Sequence, residues 1–121
     1  MAKLVILITS RLEEVHAVGE AWKKAGAPGV TFIEGYGLRR LQEIRNSTEI
    51  LPGVVSLLEI LRDGEQTSMV ILSLIEDDTL VPKLQHTTEG VLGDLHTPGS
   101  GIFFAIPVEL AAGLRDYDKE S

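Results

Sequence analysis

Gly93-Asp94-Leu95-His96-Thr97-Pro98-Gly99-Ser100-Gly101, followed at once by the apolar run Ile102-Phe103-Phe104-Ala105-Ile106-Pro107-Val108, is the stretch whose reading decides the fold. Glycines at 93, 99 and 101 leave backbone N–H groups unshielded and give access to positive φ. Loops of this kind form concave nests for anions, phosphate among them. The run from Ile102 to Ile106, bounded by Gly101 and Pro107, reads as a fully buried strand. A glycine hinge is therefore fastened to the middle of a core. Ordinary turn chemistry uses the same residue types, so the loop gains weight from a second one. Gly35-Tyr36-Gly37 closes another strand, and the two loops are expected to belong to one binding site.

Upstream of the loop, Asp77, Asp78 or Thr79 caps a helix that tolerates Pro82 in its first turn. Its buried face is Leu80, Leu84, Thr87/Thr88, Val91 and Leu92/Leu95. Before that helix, Ser68–Ile75 is apolar enough to be a central strand. At the start of the chain, Lys3–Thr9 reads as another central strand rather than a signal peptide, because it is short and meets charge at Arg11. Ser10 with Glu13 makes a capping box for a helix running to about Ala25, with Leu12, Val15, Val18/Gly19, Trp22 and Ala25/Gly26 on one face. Gly26-Ala27-Pro28-Gly29 stops it, and Val30–Glu34 is the remaining strand.

Residues 38–67 are long for a connection in so small a domain, and such connections are usually functional. Val54, Val55, Leu57, Leu58, Ile60 and Leu61 give this one an apolar patch suited to docking on a neighbour. Residues 116–121 form a polar tail. The order is thus β-α-β-(long connection)-β-α-β in a single domain, 1–121. That is the α+β, ferredoxin-like split βαβ arrangement, with both helices on one face of an antiparallel sheet. Strands apolar on both faces then require cover for the other face from further copies.

Composition narrows the function. An apolar fraction of 44% and a charged fraction of 24% are those of an ordinary globular domain. A formal charge of −7 argues against nucleic acid as partner. No cysteine is present, which removes thiol catalysis and thiolate metal sites. No stretch has the length of a membrane span, so a soluble cytoplasmic protein is expected. His86 and His96 lack the spacing of a zinc motif, and no nucleophile–base pair or carboxylate pair can be placed. The expectation is a protein that is not an enzyme, with no catalytic residues and no metal.

With these residues in place, the chain resembles the PII signal-transduction proteins and their PII-like relatives over nearly its whole length. The resemblance rests on Gly29-Val30-Thr31 through Gly35-Tyr36-Gly37, the long connection directly after, and Gly99-Ser100-Gly101-Ile102-Phe103 running into Pro107-Val108-Glu109. It implies a homotrimer with sheets facing inward and a T-loop (38–67) that contacts an unidentified target protein. It also implies an adenine nucleotide (ATP, ADP or AMP) as effector in clefts between subunits. By carry-over, Gly35, Tyr36, Gly37 and Arg39 border the base of the T-loop, and Gly99, Ser100 and Gly101 form the phosphate-side loop. Thr31 and Arg115 complete the ligand-binding set.

The chain also departs from the family. The lysine that follows the second loop glycine in typical members is Ile102 here. The arginine after the first glycine loop is Leu38, and one of two C-terminal arginines is Gly113. Residues 38–67 contain no tyrosine, so the family's uridylylation site is missing. Each lost cation removes a charge-assisted hydrogen bond. A less charged nucleotide, another small ligand, or an interaction module that has lost nucleotide binding are the alternatives.

Overall fold

The computed structural model of the chain describes residues 1–36 and 68–114. Their elements are β1 (Lys3–Thr9), α1 (Val15–Ala25), β2 (Thr31–Gly35), β3 (Ser68–Ile75), α2 (Leu80–Leu92) and β4 (Ile102–Pro107). The strands form one antiparallel sheet in the order β2-β3-β1-β4. With two helices packed on one face, this is the ferredoxin-like α+β fold. The apolar stretches Lys3–Thr9 and Ser68–Ile75 become the two central strands, since only there do both edges find a partner.

One sheet face and the two helices enclose the core. Val5, Leu7, Ile71 and Ile75 point inward and meet Val15, Val18 and Trp22 of α1 and Leu84 and Leu92 of α2. Trp22 is fully buried, and its ring edge meets Phe103 of β4 at a centroid distance of 6.1 Å. Burial leaves its indole N–H no water, and Thr88 Oγ1 accepts it at 2.8 Å while itself donating to the Leu84 carbonyl at 2.7 Å. On β3, Ser73 is the polar inward residue, and its hydroxyl donates to the Gly29 carbonyl at 2.6 Å.

Several local expectations change. β4 is not buried on both faces. Phe103 and Ala105 pack on the core, whereas Ile102, Phe104 and Ile106 are exposed, because they lie on the sheet face that carries neither α1 nor α2. The Ser10/Glu13 capping box does not form. A 3-10 turn at Leu12–Glu14 precedes α1, and neither start has a side-chain cap. Thr9 Oγ1 accepts the Arg11 N–H there at 3.1 Å, and the Arg11 guanidinium pairs with Glu14. Ahead of α2, Asp77 accepts from the N–H and hydroxyl of Thr79, the N-cap residue, in place of a direct side-chain cap. The expectations for 38–67 and for the tail fall outside the described residues.

Candidate functional site

The two glycine loops emerge at the same end of the sheet. Gly35 stands opposite Ser68, Thr9 opposite Met69, and Ile8 opposite Ile102, the residue after Gly101. Between them run β3 and β1, so they are three strand spacings apart, roughly 14 Å. Tyr36 follows Gly35 directly and is half-buried. Gly37, Arg39 and Arg115 lie outside the described residues.

The loop from Gly93 to Gly101 is tied down from within. Asp94 accepts the His96 N–H on its carboxylate at 2.9 Å and the Thr97 N–H on its carbonyl at 3.0 Å. That same carbonyl accepts the Ser100 hydroxyl at 3.1 Å. Ser100 is 4% exposed, and its carbonyl accepts the Thr9 hydroxyl at 2.7 Å. The Ser100 carbonyl therefore holds the loop to β1, while its hydroxyl and N–H close bonds within the loop. At the loop's other end, Arg11 Nη1 donates to the Leu92 carbonyl at 2.6 Å. Thr9 and Arg11, two residues apart, thus clamp both ends. Sequence reasoning missed this pair, which carries no motif.

The two glycines flanking Ser100 have different reasons to be glycine. A Cβ on Gly101 would lie 2.9 Å from the Ile8 carbonyl oxygen, and its φ is +147°. Gly99 has φ of +86° with nothing within 4 Å of a Cβ, so it faces open space. Of the predicted loop residues, Gly99 is the one with room for a ligand.

Thr31 is elsewhere. It lies at the far end of β2, four residues from Gly35 and roughly 13 Å along the strand, paired with Leu72. There it lines a cavity of about 280 Å³ with Leu4, Leu72, Leu74 and the returning C-terminal residues Gly113 and Leu114. Gly113, with φ of +86°, turns that segment back over the sheet. The predicted site therefore falls into two groups within one chain. Gly35, Tyr36 and Gly99–Gly101 gather at one end, and Thr31 with the 113–114 turn lies toward the other.

Between these groups, the sheet face that no helix of the described residues covers is apolar but for Thr31. Its rows read Ile33-Val70-Ile8-Ile102, then Thr31-Leu72-Ile6-Phe104, then Leu74-Leu4-Ile106. Ile33, Ile102, Phe104 and Ile106 are exposed at 47%, 62%, 38% and 43%. No cluster of three or more metal-ligating side chains occurs among the described residues. No helix among them is long and apolar enough to cross a membrane.

B. subtilis GlnK, a PII protein solved in complex with ATP, matches the chain with a TM-score of 0.51. The match covers 87% of this chain and 79% of that one at 17% sequence identity, and at that identity it shows a PII-like fold. No family model matches the chain, and no curated protein does.

Proposed function

We propose that this protein is a PII-like regulator, non-enzymatic and cytoplasmic. It assembles as a homotrimer, binds an adenine nucleotide in clefts between subunits, and controls a partner protein through residues 38–67. The observation that carries this reading is the apolar sheet face left open among the described residues, with predicted ligand residues split between its two ends. A contiguous patch of that kind marks an interaction surface. In a head-to-tail ring, one copy's glycine loops meet the next copy's Thr31 end, so a cleft complete only in the assembly follows from the heterologous contact. The fold shared with GlnK, whose solved complex contains ATP, supports the class of ligand.

The test is light scattering for mass, followed by titration calorimetry with ATP, ADP, AMP and cyclic adenine dinucleotides. Gly99→Asp is the site variant, since its side chain projects into open space. Saturable binding by a trimer, lost in Gly99→Asp with assembly retained, is the expected result. A monomer, or silence at millimolar ligand, overturns it.

A further inference from the structure

A second cavity, of about 640 Å³, lies on the helical side of the edge strand β2, away from both glycine loops. That volume is in the range of small-molecule sites. One wall is a stripe of α1, His16, Gly19, Glu20 and Lys23, and the other is Gly26 through Phe32. Its floor is a built feature. Phe32 faces the helices, opposite the buried Ile71, yet the residue is 41% exposed. The ring lies across Gly19, where a Cβ would come within 2.5 Å of Cζ. A mid-helix glycine costs about 1 kcal/mol relative to alanine, and this one makes room for the ring. His16 meets the ring at 5.9 Å and a tilt of 54°.

Charged recognition in this cavity falls to side chains. The Trp22 and Lys23 carbonyls at the end of α1 already accept from the N–H groups of Ala27 and Gly26. Glu20 and Lys23, both exposed, are three residues apart on one helix face, about 5–6 Å between Cβ atoms. Among the described residues they form no ion pair with each other. A carboxylate, an ammonium and an aromatic surface thus converge on one volume. We infer that this cavity is a binding site for a small zwitterion with an apolar body, of the apolar α-amino acid class. Its ammonium pairs with Glu20, its carboxylate with Lys23, and its side chain covers Phe32. The cavity shares Thr31 with the proposed nucleotide cleft, but Glu20, Lys23 and Phe32 belong to the amino-acid site alone.

The experiment is a backbone-amide NMR titration of the full chain with L-phenylalanine, 2-phenylethylamine and 3-phenylpropionate. Wild type, Glu20→Gln and Lys23→Met are compared, both substitutions being at exposed positions that leave the core intact. Shifts confined to residues 16–32 are expected with phenylalanine, and at least about tenfold weaker binding with either single-charge analogue, as loss of one charge-assisted contact implies. Each variant should reduce phenylalanine to the level of the analogue lacking the corresponding charge. No shift at about 10 mM, where even a millimolar site is well occupied, overturns the inference. So do shifts elsewhere, or affinities that ignore the two substitutions.

Discussion

Thr9 Oγ1 donates a 2.7 Å hydrogen bond to the carbonyl of Ser100, joining the last residue of β1 to the glycine loop across 91 positions of sequence. Both residues are buried, at 1% and 4% exposure, so water cannot replace the bond. Thr9→Val keeps the shape and leaves the Ser100 carbonyl and the Arg11 N–H without this partner. A loss of about 1–3 kcal/mol is expected, read as a lower urea midpoint with an unchanged slope. Thr9→Ser keeps the hydroxyl and should recover much of that loss.

Gly99 and Gly101 look alike in the sequence and should respond differently to alanine. At Gly99 only the left-handed φ of +86° opposes a side chain, costing about 1 kcal/mol. At Gly101 the Cβ would also press on the Ile8 carbonyl at 2.9 Å, within the β1–β4 pairing. Thermal melts should show a small drop in Tm for Gly99→Ala and a clearly larger one for Gly101→Ala. Equal drops would refute the contact argument. Gly101 variants are therefore unsuitable for separating ligand binding from folding.

Apolar patterning with Gly and Pro stops located the four strands and two helices of the described residues, because burial imposes the pattern. Val15, Val18, Trp22 and Ala25 are buried as their spacing requires, and Lys3–Thr9 and Ser68–Ile75 match their expected bounds. The same rule misread β4, whose Ile102, Phe104 and Ile106 are apolar without being covered in one chain. An apolar run reports that a face avoids water, not which molecule covers it. Of the candidate site, only the glycine positions could be read from the chain, and their ligand role belongs to the proposal. Ser100 entered the site as a candidate ligand residue, but its hydroxyl and carbonyl serve the loop, through partners at Asp94 and Thr9 that no local motif announces.

Trp22 and Thr88 give a measurable coupling across the helix pair. Thr88→Val leaves the buried indole N–H unpaired and should cost about 1–3 kcal/mol. With Trp22→Phe the donor is gone, so the same threonine substitution should then cost less. A double-mutant cycle from denaturant unfolding tests this, and additive effects would show that the 2.8 Å bond contributes nothing.

Asp77 accepts from the Thr79 hydroxyl at 2.6 Å and the Thr79 N–H at 3.0 Å, which together hold its carboxyl below the usual 3.8. Because the folded value is the lower one, the stabilisation is present above pH 3.8 and is lost as pH falls through the folded value. Thr79→Val removes the hydroxyl, the larger cause, and keeps the N–H. A carboxyl-carbon NMR titration should then find Asp77 shifted upward but still below 3.8.

Ile6 occupies the centre of the bare face, with Leu72 opposite on one side and Phe104 on the other. Its side chain points away from the core, so a charge there need not disturb the packing beneath, which is formed by Val5 and Leu7. If copies of the chain cover this face, Ile6→Asp puts a carboxylate into an apolar interface, where an unpaired buried charge costs several kcal/mol. Light scattering should then change from three times 13.2 kDa to a single chain, with the circular dichroism of the fold retained. Leu110, at 87% exposure beyond the end of β4, is the matching control. Leu110→Asp should leave the mass unchanged. A wild-type chain that stays monomeric at all concentrations would mean that copies of the chain do not cover the apolar rows, and the proposed trimer would fall.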